Sequence, residues 1–373
     1  MAAAPRGTVA FSAVVTVCVL LCAVPMTLIV GMSSAPRITV LAALLAAVPV
    51  GPLVFCFLWL DRYEPEPRHL LVAGLLWGVF VATAVALLLE GVGGFVGGLS
   101  DKTMLVLGAP MAEEASKGLF LLLLLWWRRA ELDGVLDGIV YAGLVAIGFA
   151  FTENILYLAS AYDGSGGVGP AGVHALTGTF VVRCLVSPFA HPLFTVCTGI
   201  GVGFAVTSRR RSTRILAPLL GYACAVTAHA LWNAATVFRP DNALLVGLSL
   251  MAPVLVLGVA LALWARRSEG RMLAGSLADA ARRGLLPATD IAWVVDLDAR
   301  RSSREHARVT GGHDGERAMR EYQQTVIELG LLHSRYLRGV PPPDYVARGQ
   351  AYVSRIRQLR PTIAFPGQVV PIR

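Results

Sequence analysis

The chain has 373 residues, 55% hydrophobic and only 15% charged, with a mean hydropathy of +0.64. Soluble domains carry about a quarter charged residues, so this composition excludes an ordinary soluble protein and puts most of the chain in lipid. The net charge of +8 then reads as the basic face of a membrane protein; with no recognition motif in sight, no nucleic-acid partner is expected.

Apolar runs bounded by polar or Gly/Pro-rich breaks predict about eight spans, near residues 10–31, 38–60, 70–91, 103–127, 137–160, 177–206, 215–237 and 243–265. Each approaches the ~20 residues that cross a bilayer. The first has no small-x-small cleavage site after it and reads as an uncleaved helix. The sixth is long enough to begin as an interfacial or re-entrant segment. No strand alternation is visible, and helices satisfy their own backbone in lipid. The expected fold is therefore all-α, a polytopic bundle at 1–265 followed by a small helical cytosolic region at 266–373.

The loops orient the bundle. Arg6, Arg62, Arg68, Arg128, Arg129 and the four arginines between Ser208 and Arg214 fall on one side; the other has only Arg37, Lys102 and Arg239. The positive-inside rule makes both termini cytoplasmic. Lys102 and Lys117 are the sole lysines, and arginine bias with abundant Ala, Gly and Val points to a high-GC bacterium and its cell membrane. The six cysteines (Cys18, Cys22, Cys56, Cys184, Cys197, Cys224) all lie in apolar runs and read as small core residues. In the tail, Glu316–Arg338 and Asp344–Leu359 are expected as helices, the first amphipathic through Met319, Tyr322, Val326, Leu329 and Tyr336.

An ionisable group near the bilayer centre costs at least ~2.5–3.5 kcal/mol, so the polar residues inside the spans need a reason. Glu113, Glu114 and Lys117 lie in the fourth span, and Asp137, Tyr141, Glu153 and Asn154 in the fifth. The sixth holds Arg183, His191, Thr195 and Thr198, and the seventh His229 and Asn233. Lys117 stands four residues after Glu113 and three after Glu114, so it can pair with either. With ~1.5 Å rise per residue, Glu113, Glu153, His191 and His229 fall roughly 10–20 Å from the outer boundary, one layer contributed by four helices. Two histidines with one or two glutamates (His191, His229, Glu113) are zinc ligand types. A glutamate can equally activate water unaided by metal, with His or Asn stabilising the oxyanion. Either arrangement hydrolyses an amide. Glu90, at the end of the third span, reads as a snorkelling interfacial group, and Asp137 and Tyr141 as anchors of their helix. His306, His313 and His333 belong to the tail and call for no special role.

In order along the chain stand Asp61-Arg62-Tyr63-Glu64-Pro65-Glu66-Pro67, Glu113-Glu114-x-x-Lys117, Asp137-Gly138 through Gly148-Phe149 to Glu153-Asn154, Arg183 with His191, and His229-Ala230-Leu231-Trp232-Asn233. This series resembles the PrsW-type intramembrane proteases, relatives of the prenyl-protein CAAX proteases and bacteriocin-processing membrane enzymes. The resemblance covers the second to eighth spans. It departs at Ser187, four residues before His191, where related enzymes often carry Phe. It implies an endopeptidase that cuts membrane-anchored proteins, in some relatives an anti-sigma factor on its extracytoplasmic side. Carried over, Glu113 or Glu114 activates water, His191 and His229 are partners or ligands, and Asn233 polarises the carbonyl. Lys117, Glu153, Asn154 and Arg183 support them. Such families are described both as metalloproteases and as glutamate-dependent, so zinc and metal-free chemistry both stay open. A proton- or ion-coupled transporter would use similar buried groups, but neither an internal repeat nor paired broken helices are visible. A non-catalytic scaffold acting through its tail is the third reading.

Overall fold

A computed structural model describes residues 6–63, 65–98, 100–164, 171–238 and 242–367. Every regular element among them is helical. The expected features at Glu64, Arg239 and residues 165–170 lie outside the described residues. The chain divides into two compact units, residues 1–61 with 65–263, and residues 62–64 with 264–373.

Among the described residues seven helices are long and apolar enough to cross a membrane: Thr8–Met32, Pro36–Leu60, Arg68–Gly94, Val135–Asp163, Val173–Thr207, Arg211–Phe238 and Leu244–Arg282. Where the fourth span is expected, a π turn at Met104–Gly108 runs into the helix Ala109–Trp127. Its two glutamates and one lysine take it out of the apolar count. We label the elements of the first unit α1 (Arg6–Met32), α2 (Pro36–Ala47), α3 (Val50–Leu60), α4 (Arg68–Leu76), α5 (Thr83–Gly97), α6 (Ala109–Trp127), α7 (Val135–Asp163), α8 (Val173–Phe180), α9 (Ala190–Thr207), α10 (Arg211–Phe238) and α11 (Ala243–Arg282). The last of these continues past the unit boundary at Leu263.

The centre of the first unit is α7, of whose most apolar window 89% is buried, against 11% for α1. A helix apolar all round belongs inside a bundle, and α7 packs on α2, α4, α6 and α9. Its contact with α9 is close because glycines meet: a Cβ on Gly138 would stand 2.1 Å from the Gly199 carbonyl oxygen, and the reverse holds for Gly199. Small residues allow such approach where lipid offers no hydrophobic drive. Phe149 of α7 shares a core with Phe11, Trp77 and Phe120 around it, and the Trp77 indole donates to the Ser116 carbonyl at 3.1 Å.

The long sixth span is broken. A π turn at Val181–Val186 ends in a bend over residues 187–189, and α9 starts at Ala190. Ser187, where related enzymes carry Phe, stands in that bend and donates its hydroxyl to the Val182 carbonyl at 2.7 Å. The break sets His191 in the first turn of α9. A third π turn lies at Trp77–Ala82; such bulges gather at functional sites.

All six cysteines are free; Cys184 is buried, whereas Cys56 and Cys224 are exposed rather than core residues. Asp137 accepts from the Asp133 and Gly134 amides at 2.7 Å each, capping the start of α7. Tyr141 donates to Glu66 at 2.7 Å. Both anchor their helix.

The second unit has its own core, including Leu273, Leu277, Tyr322, Val326 and Phe365. Beside the end of α11 and a short helix at Ala292–Val295, it holds α12 (Leu297–Leu337), broken at Gly312 where φ is +62°, and α13 (Tyr345–Leu359). Met319, Tyr322, Val326 and Leu329 are buried, while Tyr336 is 43% exposed. Asp290 accepts from Tyr322 and Arg360. His333 is a buried bridge between Asp279 (2.8 Å) and the Tyr345 hydroxyl (2.9 Å), a structural role the sequence reading had not assigned. Burial and the neighbouring Arg304 lower the Arg300 guanidinium to about 10.

Candidate active site

Helix periodicity puts Glu113, Glu114 and Lys117 on neighbouring turns of α6, and the structure brings His191 of α9 and His229 of α10 to them. One donor atom from each of Glu113, Glu114, His191 and His229 lies within 4.8 Å of the others, all four residues buried.

The hydrogen bonds separate the two glutamates. Glu114 is 0% exposed. Its Oε1 accepts from Lys117 Nζ (2.9 Å) and His229 Nδ1 (3.1 Å), and its Oε2 from the Thr195 hydroxyl (2.8 Å). Glu113 takes one ammonium contact, Lys117 Nζ to Oε2 at 3.1 Å, and lines a cavity of about 300 Å³ with Glu90, Glu153, His191 and His229.

The same bonds set the imidazole tautomers. Lysine has donors and no acceptor, so His191 Nδ1, 3.2 Å from Lys117 Nζ, is the bare nitrogen. Its Nε2–H then donates to Glu153 Oε2 at 2.7 Å. His229 donates through Nδ1 to Glu114, which leaves Nε2 bare in the neutral ring. Both bare nitrogens face one oxygen: Glu113 Oε2 is 3.8 Å from His191 Nδ1 and 3.9 Å from His229 Nε2. Phe194 stacks on His229 at 4.8 Å between centroids.

Glu153 is held in turn. Arg183 donates to it from Nη2 at 2.5 Å and to Asn154 Oδ1 from Nε at 2.7 Å, with its guanidinium 4.0 Å from the Tyr157 ring centroid. Asn233 shares its helix face with His229, lines the cavity and donates Nδ2–H to the Leu105 carbonyl at 2.9 Å. A second opening, lined by Asn154, Val182, Ser187 and Pro188, shares Arg183, His191, Trp232 and Asn233 with the first.

Of the residues expected at a site, Glu113, Glu114, His191 and His229 come together, with Lys117 among them. Glu153, Asn154 and Arg183 form an outer chain, and Asn233 stands on the wall. Glu90, expected as an interfacial group from its place at a span end, also lines the cavity. Thr195 and Phe149 were missed as site residues; Thr195 lies one helical turn after His191, a signal of shared face.

The fold and this centre define a class: polytopic membrane proteins that carry an acid–imidazole cluster inside a helix bundle. A family model described as PrsW family intramembrane metalloprotease matches residues 66–262. Two relatives described as "Protease PrsW" are similar to the chain. That of Geobacillus kaustophilus (strain HTA426) is 32% identical over 174 residues, covering 44% of this chain and 68% of the relative. That of Bacillus subtilis (strain 168) is 31% identical over 173 residues, covering 44% and 69%. No solved structure matches. The chain belongs to the PrsW family of intramembrane proteases, and is thus a membrane-embedded peptidase.

Proposed function

We propose that Glu113, His191 and His229 form the reacting centre and hold a zinc ion, and that the peptidase cuts membrane-anchored proteins. The convergence of two bare imidazole nitrogens on Glu113 Oε2, at 3.8 and 3.9 Å, carries this reading. Two nitrogens and a carboxylate oxygen suit zinc. Charge supports a divalent cation as well. Glu113, Glu114 and Glu153 stand against Lys117 and Arg183, so one negative charge is left over in an apolar setting where bare charge is costly. When bound, zinc supplies Lewis acidity.

The chain's own residues do the rest. Glu114, fixed by Lys117 and Thr195, holds His229 in the tautomer that bares Nε2. Glu153 does the same for His191 and is itself clamped by Arg183. Carboxylate partners of this kind orient metal-binding histidines. Glu113 also lines the cavity, where its second carboxylate oxygen, the one not turned to the two imidazoles, receives the proton of the attacking water. Asn233 has a second Nδ2–H to offer the scissile carbonyl.

Arginine placement supports a topology with both termini cytoplasmic, and the arginine-rich composition supports a bacterial cell membrane. Counting along the helices, Glu153 then lies roughly 15 Å below the outer end of α7, and His229 roughly 14 Å below that of α10. A centre at that depth suits a cut on the extracytoplasmic side of a substrate such as an anti-sigma factor. The ammonium of Lys117 against Glu113 and His191 favours a second reading, in which no metal binds and Glu113 activates water unaided.

Metal analysis of detergent-purified protein separates the two. One zinc per chain, lost in the His191→Ala/His229→Ala variant, is the expected result; an active enzyme free of metal would contradict it.

A further inference from the structure

We infer that Lys117 is the resident cation of this centre and the side chain a divalent metal must displace to bind there. The inference rests on the reading that Glu113, His191 and His229 hold a metal. Lys117 is 0% exposed, and its ammonium lies 3.1 Å from Glu113 Oε2, 2.9 Å from Glu114 Oε1 and 3.2 Å from His191 Nδ1. The ring of Phe149 closes the remaining side, 3.8 Å from Nζ to its centroid. An ammonium has three N–H groups, and here each is spent on an atom of the candidate metal-binding cluster.

Two of those atoms, Glu113 Oε2 and His191 Nδ1, offer the lone pairs a metal would take. One lone pair cannot serve both, and two cations that close repel strongly away from water. Glu114 is different, because its oxygens serve Lys117, His229 and Thr195 rather than face the cavity. Loading therefore requires Lys117 to give up Glu113 and His191 while Glu114 can retain it. The four-carbon lysine stem has the rotatable bonds for that, where a rigid guanidinium would not. Before loading, the same contacts keep the two glutamates and His191 assembled, so the pocket does not collapse or ionise unpaired.

Lys117 thus sets metal affinity without being a ligand. The arrangement predicts that wild type binds metal more weakly than its donor set alone would, and that apoprotein stability and metal affinity move in opposite directions when Lys117 is removed.

The test is a cobalt(II) titration of the full chain in detergent, read by the visible ligand-field absorption of cobalt, for wild type, Lys117→Met, Lys117→Gln and Lys117→Arg. Lys117→Met should bind cobalt at least about tenfold more tightly than wild type, Lys117→Arg more weakly. Metal-free Lys117→Met should unfold at a lower temperature than wild type and regain the loss on adding cobalt. Should Lys117→Met not purify as a monodisperse protein without metal, Lys117→Gln, which keeps Glu114 and its hold on His229, carries the same affinity prediction. Equal or weaker cobalt binding in the folded lysine-free variants, with the signal still dependent on His191 and His229, would overturn the role of Lys117 alone. Absence of a cobalt signal in every variant, or a signal that survives His191→Ala/His229→Ala, would overturn the metal site together with it.

Discussion

Glu113 and Glu114 are neighbours in sequence with the same side chain, yet their surroundings give them different work. Glu114 accepts three hydrogen bonds and is fully buried; Glu113 keeps an edge on the cavity. Replacing Glu114 by Gln leaves Lys117 short of its buried partner. Losing one member of a buried ion pair costs about 3–5 kcal/mol, so Glu114→Gln should lower the unfolding temperature in detergent sharply. Glu113→Gln should purify as a folded protein but cleave about 10²–10⁴-fold more slowly, the range for loss of a general base. At Glu153, the Gln variant can still accept the His191 Nε2–H but loses its charge. Removing such an orienting carboxylate typically costs about 10–100-fold. A Glu153→Gln enzyme with wild-type kcat would show that the His191 tautomer is set otherwise.

Among helices, the contact of α7 with α9 decides whether His191 can reach α6. Gly138 and Gly199 make that contact, and a methyl group on either would stand 2.1 Å from the opposing carbonyl oxygen. Gly138→Ala should cost about 1–3 kcal/mol by overpacking and reduce activity, as followed by thermal unfolding and cleavage rate. Much of this level was legible in the sequence. Spans declare themselves as apolar runs of bilayer length, and even the charged helix Ala109–Trp127 lay where a span was expected. The i, i+4 spacing of Lys117 and Glu113 gave their pairing. What hydropathy could not show was the rotation of each helix. Glu90 sits near a span end, but which way it faces depends on the packing of α5 against α6, and it faces the cavity. The link from Glu153 to His191 joins different helices through a break at residues 187–189 and a π turn, neither of which has a periodic signature.

At the scale of the whole chain, the first unit carries a second buried acidic group away from the centre, at the loop before α4. Asp61 lies outside the spans, 4% exposed, with its Oδ2 accepting the Glu66 amide at 2.8 Å. Burial pushes its carboxyl up to about 8, with the nearby charge of Asp137 adding to the rise against that hydrogen bond; Glu66 is raised by burial as well. A raised acid holds its proton longer in the folded state than in the unfolded one. The stability Asp61 contributes is therefore complete below about pH 4 and is lost as pH rises through about 8. The unfolding temperature should fall between about pH 5 and 8.5, and Asp61→Asn should flatten that slope; a slope unchanged in the variant would assign it to other groups.

All of this rests on Glu113 being the carboxylate at which peptide bonds are cut. The most direct measurement is cleavage of a single-span, membrane-anchored reporter protein by the purified enzyme reconstituted in lipid, wild type beside Glu113→Gln. The account predicts cleavage by wild type and a loss of at least about a hundredfold in the variant, with its folded state intact. A folded Glu113→Gln enzyme cutting the reporter at the wild-type rate would contradict it.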